Sequence, residues 1–129
     1  MKREKLEQIL LQVQKPAQYI GGELNSVMKD KTRVDCRLAF CFPDKYEVGM
    51  SHLGMKILYS LYNQRENWWC ERVFAPDADM EALLRKEGEP LYALEDAVFA
   101  RMGDARVQEM MDAIALFNML FEKETEMLK

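Results

Sequence analysis

The sequence predicts an α/β fold: a parallel sheet with flanking helices, followed by a long C-terminal helix. Three observations carry this expectation. Residues 33–42 have strong strand character, and Leu38-Ala39-Phe40-Cys41-Phe42 is apolar on both faces. A strand buried between two helix layers requires that pattern. Strand-like and helix-period segments then alternate β–α–β–α–β, the order of parallel strands joined by crossovers. From 104 onward one helical pattern runs to the end of the chain.

The elements follow in order. Residues 2–14 read as an amphipathic helix, because Leu6, Ile9, Leu10 and Val13 recur at helical spacing with charge between them. Pro16 stops it. Ala17–Asn25 is a turn-rich connector around Gly21-Gly22, and Lys29-Asp30-Lys31-Thr32 reads as a surface loop. The first strand spans 33–42 and ends at Pro43-Asp44. A helix over 49–64 places Met50, Leu53, Ile57, Leu58 and Leu61 on one stripe. Residues 69–75 form a second strand, closed by Pro76. Asp77 or Asp79 can cap a helix at about 79–87, which Gly88 ends. Leu91-Tyr92-Ala93-Leu94 is a short third strand. Asp104, after Gly103, can cap the last helix, whose apolar stripe is Val107, Met110, Ile114, Phe117, Phe121 and Leu128. Met111, Leu116 and Leu120 widen that stripe.

Composition narrows the function classes. The chain has 129 residues, 49% hydrophobic and 31% charged, with a formal net charge of −4. That balance argues against nucleic-acid binding, which needs clustered Lys and Arg. No apolar run approaches the roughly 18–20 residues of a membrane span. The charged start, Met1-Lys2-Arg3-Glu4-Lys5, is not a secretory signal, so the expected compartment is the cytoplasm. The cysteines are Cys36, Cys41 and Cys70. They lack the paired spacing of a zinc or iron–sulfur site, so no metal site is expected. No Ser-His-Asp or Cys-His arrangement is legible, and no catalytic residue is predicted. The ten methionines read as flexible core filler.

Ligands of open α/β sheets bind beyond the carboxyl ends of the strands. The segment after the first strand, Pro43 to Gly54, is the densest polar-plus-glycine stretch in the chain. Its candidate binding residues are Tyr46, Gly49, Ser51, His52 and Gly54. Gly49 and Gly54 would allow close backbone approach, and a helix start there favours an anion. No GxGxxG or GxxxxGK[ST] motif is present. Asp44 and Glu47 are accounted for by turn formation and the helix dipole. His52 reads as a helix-start histidine bonded to nearby backbone.

Three ordered blocks carry a family resemblance. They are Lys15-Pro16-Ala17-Gln18-Tyr19-Ile20-Gly21-Gly22-Glu23-Leu24-Asn25-Ser26, then Phe40 to Gly54 as Phe-Cys-Phe-Pro-Asp-Lys-Tyr-Glu-Val-Gly-Met-Ser-His-Leu-Gly, then Cys70-Glu71-Arg72-Val73-Phe74-Ala75-Pro76. Over about Lys5 to Glu95 the chain resembles the cobalamin-binding-like N-terminal domain of radical S-adenosylmethionine (radical SAM) proteins. The tail, 96–129, does not match it. The resemblance implies a partial Rossmann-like domain at 1–95 with a helical extension at 96–129. It further implies a separate barrel that holds a [4Fe–4S] cluster through CxxxCxxC and cleaves S-adenosylmethionine. The chain has no such motif, so it is expected to be a truncated N-terminal domain, accessory to that barrel and not catalytic alone. Cobalamin is the candidate cofactor. One cobalamin class ligates cobalt through Asp-x-His-x-x-Gly. Here Met50 replaces the Asp and Gly54 comes one residue early, so His52 is not expected to be the lower ligand. The alternative is a non-catalytic interaction module. Either way the helix over 104–129 needs a cover, either this domain's own sheet or the same helix of a second copy, and the homodimer is the favoured of the two.

Overall fold

The computed structural model describes residues 1–127, apart from the side chains of Asp104, Val107, Met111, Ile114 and Asn118. It is a mixed α/β structure in which a two-stranded parallel sheet is surrounded by helices. Helix α1 covers Arg3–Leu10, and a single 3₁₀ turn covers Pro16–Tyr19. Strand β1 is Cys36–Lys45. It leads through α2 (Tyr46–Ser51) and α3 (Leu53–Asn63) to β2, Trp68–Ala75. Then follow α4 (Ala78–Glu87), α5 (Leu94–Met102) and α6 (Asp104–Met127).

The register runs from Cys36 beside Trp68 to Phe42 beside Phe74. It then breaks, and Lys45 pairs with Ala75. Pro43 lies inside that irregularity. It lacks an N–H, so a bulge lets the strand continue past it rather than stop there. The alternation of side chains puts Leu38, Phe40, Cys70 and Arg72 on one face and Arg37, Ala39, Trp69 and Glu71 on the other. Trp69 is wholly buried, with its ring edge-on to Phe99 of α5 at 5.6 Å. Its indole N–H donates to the Val27 carbonyl at 2.8 Å. A second cluster joins Ile9, Val13, Tyr19, Met80 and Leu84. Val13 is buried although α1 ends at Leu10, three residues before it.

Two expectations are corrected. The single helix over 49–64 is two helices, beginning at Tyr46 and interrupted at His52 (φ −78°, ψ 113°). The His52 ring explains the break, because its Nδ1 accepts the Met55 N–H at 3.2 Å and so caps α3. The third strand at Leu91–Leu94 is absent. Ala93 is an extended N-cap and Leu94 opens α5. The Glu95 carboxylate of α5 accepts the Arg72 backbone N–H at 2.8 Å. A side chain thus satisfies an amide on β2 where a neighbouring strand would otherwise be needed.

The α4 terminus follows expectation, with Gly88 in the left-handed region at φ 67°. Asp77 occupies the N-cap position, but Asp79 makes the side-chain bonds, to the amides of Met80 and of Gln14 (both 2.8 Å). In the last helix, Phe117 and Phe121 are 66% and 62% exposed. Val107, Ile114 and Leu128 of the expected stripe lie outside the described side chains, as does the cap expected of Asp104. No helix of the described residues is long and apolar enough to cross a membrane.

Candidate functional site

The carboxyl ends of β1 and β2 deliver the chain directly into α2 and toward α4. An aromatic group gathers there. Phe74 receives Tyr46 edge-on at 5.7 Å and Phe42 at 6.4 Å, and Phe42 meets the His52 ring at 5.2 Å. This packing consumes the freedom of both glycines. A Cβ on Gly49 would lie 2.1 Å from Phe74 Cε1, so only Gly lets α2 rest on that ring. A Cβ on Gly54 would come within 3.0 Å of the His52 ring. Ser51 hydroxyl donates to the Glu47 carbonyl within α2. Of the five sequence candidates, Gly49 is buried, Tyr46 and Gly54 are partly covered, and Ser51 and His52 are exposed.

Beneath this loop lies a buried ionic network that the sequence reading did not identify. Arg72, 3% exposed, sits between two carboxylates. Its Nε donates to Glu95 Oε1 at 3.0 Å, and its Nη2 lies 3.4 Å from Glu23 Oε2. Nη2 also donates to Ser26 Oγ at 2.8 Å. The guanidinium lies 4.3 Å from the centre of the Tyr59 ring, and the Tyr59 hydroxyl donates to Glu95 Oε1 at 2.8 Å. The Tyr59 hydroxyl oxygen in turn accepts the Val27 N–H at 2.8 Å. Burial, then the Glu95 charge, raises the Tyr59 pKa. Tyr46 is raised in the same way, by burial and then by Glu23. The network ties Glu23-Leu24-Asn25-Ser26 to the sheet. That explains why this turn-rich connector carries two polar groups aimed inward.

A hollow of about 10 Å³ adjoins Arg72, bordered by Asn25, Gly49, Met50, Met55 and Tyr59. That volume suits about one water molecule. It does not admit a corrin ring. A third carboxylate, Glu71, lies on the other face of β2. Its Oε2 takes Arg37 Nε and Nη2 at 2.9 and 2.7 Å, while its buried Oε1 has no partner among the described atoms. Burial raises its pKa, with Arg37 opposing and Asp96 adding to the rise.

Lys29 was also unforeseen. Its ammonium donates to the carbonyls of Asn63 (2.9 Å), Arg65 (2.8 Å) and Trp68, closing the turn from α3 into β2. Burial lowers its pKa. The signals were faint: single charged residues inside a strand and a loop that composition reads as solvated. The rule that a buried charge must be paired finds such residues only once burial is known.

The thiols do not converge. Cys36 and Cys70 share one face of the sheet and Cys41 takes the other. Cys70 is fully buried, which pushes its thiol up to about 11. Among the described residues no group of three or more His, Cys, Asp or Glu is placed to hold a metal ion. These residues do not fit an iron–sulfur cluster.

No curated protein and no solved structure matches the chain. A family model does, the one described as radical SAM proteins, N-terminal, over residues 54–126. The match passes Glu95, where the resemblance read from the sequence stopped, and takes in α5 and nearly all of α6. It covers more than half of the chain, which therefore belongs to the radical SAM family through that family's N-terminal region.

Proposed function

We propose that the chain acts as an accessory N-terminal domain beside a radical SAM barrel, in a cytoplasmic protein, and performs no catalysis alone. The chain carries no CxxxCxxC motif, so the iron–sulfur and S-adenosylmethionine chemistry belongs to that barrel. The Tyr46–Gly54 segment is the surface offered to the barrel or to a cobalamin-type cofactor. The observation that carries this reading is its position. It leaves the carboxyl end of a parallel strand, where α/β sheets bind ligands. Ser51, His52 and Leu53 are exposed there. At this segment cobalamin would lie against the rim and not inside the hollow by Arg72, which is water-sized.

His52 is not the lower ligand in this reading. Its Nδ1 is committed to the Met55 amide, and the flanking motif positions differ. Equilibrium dialysis with cobalamin, read by its visible spectrum, tests the proposal. Binding is expected, and His52→Ala should change the affinity by less than about tenfold, or 1.4 kcal/mol. A larger loss would make His52 a ligand. No binding at all would remove the cofactor and favour the alternative of a pure interaction module.

A further inference from the structure

Two helices carry apolar faces that the described chain leaves uncovered. On α3, Met55 and Tyr59 face inward and are buried. Leu53, Ile57 and Leu61, one per turn on the opposite side, are 70%, 51% and 51% exposed. A helix apolar all round is ordinarily covered all round. On α6, Leu116, Phe117, Leu120 and Phe121 are 50–66% exposed, and the two Phe rings stack at 6.2 Å. Single exposed leucines are common, but contiguous stripes mark interaction sites.

We infer that both stripes belong to one interface, in which α6 of one copy lies along α3 of a second copy and the reverse. The occupant follows from charge. Residues 53–63 hold Lys56 and no carboxylate, and the Arg65-Glu66 pair just past the helix is neutral. Residues 109–126 hold Glu109, Asp112, Glu122, Glu124 and Glu126 against the single cation Lys123. Packing α6 on a second α6 brings two acidic helices together. Packing it on α3 avoids that repulsion and sets acidic flanks beside Lys56, which favours that partner over the other. Each copy offers both halves, and a two-fold axis that satisfies both contacts at once leaves no open end, whereas head-to-tail packing would run on into larger oligomers. The dimer expected from residues 104–129 is thereby reassigned from helix on like helix to α6 on α3.

Sedimentation velocity and light scattering on the full chain test this, at roughly 100 μM, where any dimer of micromolar Kd is populated. Ile57→Glu and Phe117→Glu change exposed positions, so both variants should keep the wild-type circular dichroism and, in dilute solution where association adds no stability, the wild-type melting curve. The wild-type chain is expected to be a dimer and each of these variants a monomer. Lys56→Glu should weaken the dimer by about tenfold, with the difference shrinking in high salt. A monomeric wild-type chain overturns the proposal. So does a dimer that Ile57→Glu leaves intact and Phe117→Glu breaks, the signature of α6 on α6.

Discussion

The middle of β2 and the outer half of α6 present opposite problems. Between Trp69 and Arg72 every residue is buried, and two of the four are charged. Along α6, large apolar side chains are exposed, and the helix meets the described chain chiefly through α5. In β2 the Arg72 charge is met inside the chain. Glu95 takes the Arg72 amide, the Arg72 Nε and the Tyr59 hydroxyl with a single carboxylate. In α6 no such internal solution exists among the described residues. The lesson is that the two regions should answer differently to mutation and to concentration. The buried network is a property of the single chain, whereas the helix face depends on what covers it.

The largest effect should come from breaking the network. Glu95→Ala leaves Arg72 buried without its main counter-ion, and its backbone amide without an acceptor. Loss of one partner of a buried pair costs about 3–5 kcal/mol. Urea unfolding should show that loss, and a change below about 1 kcal/mol would mean water replaces the carboxylate. A smaller effect is expected at the aromatic rim. Gly49→Ala drives a methyl into Phe74, and overpacking of this kind costs about 1–3 kcal/mol. Thermal melting would register it, and an unchanged midpoint would show that α2 lifts off the ring freely. The smallest effect belongs to α6. Phe117→Ser in dilute solution, where the chain is monomeric, should move stability by no more than about 0.5 kcal/mol. A loss comparable to that of Glu95→Ala would mean that α6 folds back onto its own domain.

The sequence reading reached β1, β2 and α4 within a few residues, because their apolar runs end at Pro, Gly or a helix cap. It failed at Leu91–Leu94, where four residues offer no period long enough to separate a strand from a helix entrance. Tertiary partners act there: with Leu94 opening α5, Glu95 accepts the Arg72 amide of β2. It merged α2 with α3 because Gly49 to Gln64 sustains one hydrophobic period across His52, and the break depends on a side-chain cap. The candidate segment does lie at the carboxyl end of β1, but as the last strand residues and helix α2 rather than as a loop. Its glycines, however, serve Phe74 and His52, which no local pattern reveals. The Arg72 network joins positions 23, 26, 59, 72 and 95. Such long-range pairing leaves no signature in spacing.

Amide hydrogen exchange of the intact chain, followed by mass spectrometry over a range of protein concentrations, tests the contrast most directly. Segments covering Trp69–Arg72 should exchange slowly and at a rate independent of concentration, since their protection requires only the single chain. Segments covering Leu116–Met127 should exchange quickly when dilute and slow down as concentration rises, while Leu53–Leu61, already held on β2 through Met55 and Tyr59, should gain only a smaller further protection in parallel. Concentration-independent protection of α6 equal to that of β2 would contradict the account.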